Sequence, residues 1–279
     1  MKLPSFVSRR PPLTQPIETG TVRWQRDLDA ALAESEAQGR PVFALFQEVP
    51  GCAGCQQFGA DVLSDPLVVE AIETEFVPLL IHNNADGPDA EVLARYGEPA
   101  WNYQVVRFLD ADGTDLIPRR DRVWETGPLL TRMVAALRSA GRIVPDHLLL
   151  LEQEHSERLD ELIIAQGCFW VGESQLGQID GVVTTEAGFL GSAEVTVVEY
   201  DPEQISRDEL VADATRRGVA SAVFDRSAGR YRRAPESDQK RQLGGGSTLG
   251  FTAAQLTKRN AFVRSSAADA DRFLFPSQR

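Results

Sequence analysis

Apolar residues at Trp24, Leu28 and Leu32 recur every fourth position, one face of a helix, and predict a helix over 24–38 that Gly39 ends. Pro41-Val42-Phe43-Ala44-Leu45-Phe46 is a continuous apolar run and reads as a buried strand. Gln56-Gln57-Phe58 can start a second helix, and Ser64-Asp65-Pro66 marks a break with a fresh helix start, proline being tolerated in a first turn. Strands are expected at 76–81 and 105–109, with a short helix over 89–96 between them. Asp110-Ala111-Asp112-Gly113 reads as a hairpin turn into Leu116-Ile117, and 128–140 as an amphipathic helix closed by Gly141.

The pattern then changes. Pro145 interrupts the chain, and Leu148 to Glu154 is helix-compatible, within a linker expected at 143–158. Leu162-Ile163-Ile164-Ala165 reads as a strand, 169–176 as a helix and 181–186 as a second strand. Ala187-Gly188-Phe189-Leu190-Gly191 is expected to turn into a strand over 193–200, rich in β-branched residues and ended by Asp201-Pro202. Ser206 suits the N-cap of a helix reaching about Arg217, and 220–224 another strand. Gly244-Gly245-Gly246-Ser247 reads as a flexible loop, and proline-rich residues 1–20 as a flexible arm. The expected domains are thus 21–142 and 159–279.

With 279 residues, the chain is long enough for about two domains with their own cores. A net charge of −12 repels nucleic acid and anionic membranes, so neither is expected as a partner. No apolar run approaches the ~20 residues of a membrane span, and residues 1–20 lack the apolar core of a secretory signal, so a cytoplasmic location is expected. The three cysteines, Cys52, Cys55 and Cys168, are too few for a disulfide scaffold. His82, His147 and His155 are scattered without ligand spacing, so no structural metal is expected. Redox chemistry is the better use of the thiols.

Cys52 and Cys55 are three positions apart where a strand gives way to a helix. That spacing lets them close a small disulfide, and a helix start favours the thiolate of the first. Cys52 would attack a disulfide or sulfenic acid, and Cys55 would release the mixed disulfide. This order of elements around a CxxC resembles the thioredoxin-like fold over about 22–142, and Val49-Pro50-Gly51-Cys52 resembles members in which selenocysteine can stand first. The usual tryptophan before the first cysteine is absent, and Asn102-Tyr103-Gln104 stands where a cis-proline is expected.

Cys168 ends an apolar run at another strand-to-helix junction, which suits a nucleophile, whereas a lone cysteine more commonly serves as a small buried hydrophobe. Gly167-Cys168-Phe169-Trp170, Gly181-Val182, Ala187-Gly188-Phe189, Ala193-Glu194-Val195 and Tyr200-Asp201-Pro202 together resemble the A-type peptide methionine sulfoxide reductases over about 160–233. The resemblance implies an α/β sandwich of ferredoxin-like type after the thioredoxin-like domain. It implies that Cys168 attacks the sulfoxide sulfur and becomes a sulfenic acid, with Glu194 protonating the oxygen. Phe169 and Trp170 would cradle the substrate methyl group. Asp225 and Tyr231 resemble the family's later Asp and Tyr positions, with the spacing one residue off, and Tyr231 would help polarise the same oxygen.

A sulfoxide is a poor electrophile until its oxygen is protonated, so a thiolate beside a carboxylic acid is a sensible pair. The family's substrate loop is shortened here to Leu190-Gly191-Ser192, without its tyrosine and with Ser192 in place of a histidine. No cysteine follows Cys168, which makes Cys52 and Cys55 the candidates to resolve its sulfenic acid. The implied activity is reduction of free or peptide-bound methionine sulfoxide, using a thiol reductant such as thioredoxin or another dithiol and no other cofactor. Alternatives are a general thiol–disulfide oxidoreductase and a non-catalytic adaptor that presents partners to the CxxC.

Overall fold

The computed structural model describes residues 14–100, 104–244 and 249–279, and divides into two compact units that meet at Val144 and Pro145. In the first, α1 (Leu28–Gln38) leads to β1 (Val42–Gln47), α2 (Ala53–Asp61), α3 (Pro66–Glu75), β2 (Val77–His82), α4 (Pro88–Tyr96), β3 (Val105–Leu109) and α5 (Thr126–Ser139). The sheet order is β2-β1-β3, with β2 parallel and β3 antiparallel to the central strand. All six residues of β1 are buried, as its unbroken apolar run requires. One face of this sheet packs Val42, Ala44 and Phe46 against Leu28, Ala31 and Leu93. The other carries Phe43, whose ring meets Phe76 at 6.1 Å and Phe108 at 5.4 Å.

Helix α1 begins later than its apolar spacing predicts. Asp27 caps it by accepting from Ala30 N, while Gln25 is held as a short parallel bridge to Leu79. Leu116 reaches back to Phe108 with one backbone bond, so the expected hairpin closes without a full second strand. The expectation of a flexible arm over 1–20 fails for residues 14–20. Ile17–Thr19 form a 3-10 turn with Glu18 and Thr19 buried, and the turn packs on α2. A Cβ on Gly59 would come within 2.0 Å of Ile17 O, so glycine there admits the arm. Residues 1–13, Asn102, Tyr103 and the Gly245–Ser247 part of the expected glycine loop lie outside the described residues.

The second unit contains α6 (Asp146–Glu154), β4 (Asp160–Ala165), α7 (Phe169–Leu176), β5 (Val182–Leu190), β6 (Ala193–Tyr200), α8 (Arg207–Arg216), β7 (Ala222–Phe224), β8 (Tyr231–Arg233), α9 (Ala253–Phe262) and α10 (Ala267–Asp271). Its sheet order is β7-β4-β6-β5-β8. Every pairing in it is antiparallel. The segment expected as a linker is not one: α6 packs on α9 and β5, and Leu150 is buried with Val183, Ala254 and Phe273. The expected turn at Ala187–Gly191 is also displaced. β5 continues to Leu190, and the reversal falls at Gly191 and Ser192, with Gly191 at φ 63°. Leu162, Ile164, Val198 and Tyr200 face Leu176 and Leu210, from α7 and α8, while Ile163, Val195 and Val197 line the opposite face of the sheet. Among the described residues no helix is long and apolar enough to cross a membrane.

Candidate active site

The CxxC pair lies at the start of α2. Cys52 is the N-cap, half-buried, and Cys55 is fully buried one turn on, with the two Sγ atoms 3.4 Å apart and unbonded. Burial, reinforced by the Cys52 thiol, pushes the Cys55 thiol up to about 12. Cys55 Sγ also faces Gln104 Oε1 at 3.8 Å, so an amide from the stretch where a proline was expected stands against the buried thiol.

The docked arm reaches this pair. Glu18 accepts from Gly51 N at 2.9 Å, one residue before Cys52. Burial acts to raise the Glu18 carboxyl, but the bonds from the Gly51 N–H and the Gln56 amide hold it below the usual range. Gln47, fully buried, donates to Glu18 O and, at 3.3 Å, to Cys55 O, tying arm, strand and helix together. A Cβ on Gly51 would come within 2.4 Å of Glu48 O and 2.7 Å of Cys55 Cβ, so this approach needs glycine. Donor atoms of Glu48, Cys52 and Cys55 all lie within 4.8 Å of one another, three ligand atoms where a closed tetrahedral site takes four.

In the second unit, Cys168 is the N-cap of α7, half-buried, where β4 gives way to the helix. Helix and sheet come close because Gly172 has no side chain: a Cβ there would lie 2.4 Å from the Gln166 amide and 2.7 Å from Thr196 Oγ1. Glu194 Oε2 accepts from Phe169 N at 2.9 Å, which puts a carboxylate on the first free N–H of the helix, beside Cys168. Glu194 Oε1 has no hydrogen-bond partner among the described residues. Phe169 is buried and meets Phe189 edge-on at 5.4 Å and Trp170 at 5.9 Å, with Ala187 and Ala234 behind it. Arg232 lies over the Phe189 ring at 4.3 Å and Arg241 over the Trp170 ring at 5.3 Å.

Two expected residues are elsewhere. Tyr231 pairs with Leu190, whereas its neighbour Arg232 pairs with Phe189, which in turn pairs with Glu194. Side chains alternate along strands, so Arg232 shares the face of Glu194 and Tyr231 is on the opposite one. There Tyr231 packs with Ile163, Val195 and Val197, and its hydroxyl donates to Glu186 Oε1 at 2.7 Å. Burial and then Glu186 push that phenol above its ordinary range. Tyr231 therefore does not share a substrate oxygen with Glu194. Asp225 follows Phe224, which pairs with Ile163, while Ala222 pairs with Ala165. The antiparallel run leaves Asp225 toward the opposite end of β4 from Cys168, exposed, with its carboxylate capping a short turn by accepting from Ser227 N at 2.9 Å. Its binding role is set aside for that reason.

Glu18, Gln47, Glu48, Arg232 and Arg241 escaped the sequence reading. Glu18, Arg232 and Arg241 are brought in by tertiary approach, whereas Gln47 and Glu48 stand within five residues of Cys52 and offered a local signal.

Residues 23–111 match a family described as thioredoxin-like. Over 75 residues the chain is 32% identical to the peptide methionine sulfoxide reductase MsrA of Geobacter metallireducens, covering 21% of this chain and 46% of that protein. Over 62 residues it is 39% identical to the enzyme of the same name from Thermoactinomyces vulgaris, covering 16% and 50%. The chain thus spans about half the length of these relatives. A solution structure of a thioredoxin from Thermus thermophilus aligns at 26% identity and TM-score 0.36, over 43% of this chain and 90% of that one. The chain combines a thioredoxin-like region with a later region similar to the A-type peptide methionine sulfoxide reductases.

Proposed function

We propose that the chain reduces methionine sulfoxide at Cys168. The observation that carries this reading is the placement of a thiol and a carboxylate at one helix start: Cys168 caps α7 and Glu194 holds the next N–H at 2.9 Å. Phe169, Trp170 and Phe189 give this site an apolar wall suited to a thioether methyl group.

The Cys168 thiolate attacks the sulfoxide sulfur while Glu194 gives its one proton to the oxygen, and the medium later returns that proton to Glu194. The S–O bond to methionine breaks, the sulfide leaves, and Cys168 becomes a sulfenic acid. Glu194 can take part because Phe169 N occupies only Oε2. Cys52 then attacks the sulfenic sulfur, releasing water and forming a Cys52–Cys168 disulfide. Cys55 displaces Cys168 and closes the Cys52–Cys55 disulfide, which an external dithiol reduces. The cycle consumes two electrons and two protons per sulfoxide.

The test is methionine release from each sulfoxide epimer with a supplied dithiol. Cys168→Ser is expected to abolish release, and Glu194→Gln to slow single-turnover sulfenic acid formation by about two to four powers of ten while keeping the bond to Phe169 N. Full turnover by Cys168→Ser would end this reading. The 3.4 Å separation of Cys52 and Cys55 favours a second one, thiol–disulfide exchange on other partners, which Cys168→Ser would leave intact.

A further inference from the structure

Beside Cys168 three rings stand in a row, Phe189 against Phe169 and Phe169 against Trp170, and each end of the row is covered by a guanidinium. Arg232 lies over Phe189 at 4.3 Å and Arg241 over Trp170 at 5.3 Å, and both are exposed. Their neighbours in the chain are used differently. Arg233 is ion-paired to Glu186 and Glu236, and Lys240 to the buried Glu173. Arg232 and Arg241 have no carboxylate partner among the described residues, although the chain carries 41 acidic residues against 29 basic ones.

A guanidinium seated on a ring face is attracted by the ring and weakly hydrated, and it keeps its planar fork of N–H groups for a carboxylate. The middle ring belongs to the residue after Cys168, whose own N–H is on Glu194. Each of the two outer rings thus carries a cation, and the middle ring adjoins the thiol. We propose, resting on the reading of this site as a sulfoxide reductase, that Arg232 and Arg241 select substrates bearing carboxylates close to the methionine sulfoxide. In an extended peptide, neighbouring residues advance about 3.3–3.6 Å each, so acidic side chains one or two positions from the sulfoxide reach the ends of the row. The carboxylate of the free amino acid offers the same chemistry to one end.

The experiment compares kcat/KM of the full chain, with a supplied dithiol, for pentapeptides that flank methionine sulfoxide with Asp, Asn or Lys. N-acetylmethionine sulfoxide against its N-methylamide gives the free-carboxylate arm. The Asp peptide is expected to exceed the Asn peptide by about threefold to tenfold, mainly through KM, and the Lys peptide to fall below both. The preference should shrink in 0.5 M salt, a screening condition, and vanish in the Arg232→Gln/Arg241→Gln double variant. A gain confined to N-acetylmethionine sulfoxide over its amide assigns the carboxylate to the free amino acid, and a gain confined to the peptides assigns it to acidic side chains. Equal values for Asp and Asn peptides together with equal values for acid and amide would overturn the proposal, as would a preference that survives in the double variant. Titration of the same ligands into Cys168→Ser reads selectivity without turnover. Absence of turnover with every substrate would defeat the sulfoxide reading, and a flat ligand series in that titration would defeat the carboxylate preference.

Discussion

A step of one residue along a strand carries a side chain to the other face of its sheet, and at β8 that step exchanges Tyr231 for Arg232. Sequence spacing placed a tyrosine near the site, but register decides which face it takes, and register is set by pairing with β5. Tyr231 then acts on stability, through its bond to Glu186 and its packing over Gly188, where a Cβ would lie 2.2 Å from the ring. Tyr231→Phe is expected to leave kcat/KM within about threefold and to cost about 1 kcal/mol, the net worth of one hydrogen bond. Paired measurements of turnover and thermal midpoint check this, and a hundredfold loss of activity would restore the tyrosine to the chemistry. Cys168, Glu194, Phe169 and Trp170 were legible from their motifs because each sits beside a strand end or helix start, where local sequence dictates position. Asp225 was misread because a match one residue out of step says nothing about which end of β4 it will occupy.

Helix α7 shows how far one element is tied down by residues remote in sequence. Glu194 takes an N–H at its start, Lys240 pairs with the buried Glu173 at 2.5 Å, and the buried Lys258 donates to Gly177 O at its end, at 3.0 Å. The negative group is at the N-terminus and the positive one at the C-terminus, the arrangement the peptide dipoles favour. The sequence reading gave 169–176 as a helix but foretold none of these ties. The arm is a second such case, since its prolines suggested disorder while Glu18 and Gln47 anchor it to α2. Glu18→Ala should strip the Gly51 N–H of its acceptor and lower stability by about 1–3 kcal/mol, seen as a lower thermal midpoint. An unchanged midpoint would make the arm dispensable. In α6, His147 is buried against Phe275 at 4.4 Å, and burial, aided by Arg279, holds it down at about 4. Unfolded, it titrates near 6.5, so between those values the unfolded chain binds the extra proton and stability falls as pH falls. The loss should begin below about pH 6.5 and reach on the order of 3 kcal/mol by about pH 4. Thermal scans at pH 7 and 4.5 should show a smaller drop for His147→Leu than for the parent chain.

At the scale of the whole chain, the thiols divide two and one between the units, and the proposed cycle needs both sets. A covalent tether replaces a bimolecular encounter by an effective concentration of roughly millimolar order. Cys55→Ser should therefore trap a Cys52–Cys168 disulfide after one turnover, at a rate independent of protein concentration, as read by non-reducing peptide mapping. Trapping between two chains instead would move the relay to a dimer, and no trapping would sever the units functionally. The order of helices and strands was readable as far as β7, where apolar spacing within a few residues marks each element, but β8, α9 and α10 were not foreseen. The boundary between units was placed less well, since α6 looks like a connector until α9, far along the chain, covers it. The tight reversal at Gly191 and Ser192 has a practical meaning. Nothing lies within 4 Å of where a Gly191 side chain would begin. Lengthening a loop costs only about 0.6 kcal/mol per doubling. The β5–β6 junction is thus a permissive graft point, where protein engineers could splice in longer segments while the antiparallel pairing of β5 and β6 beneath stays untouched.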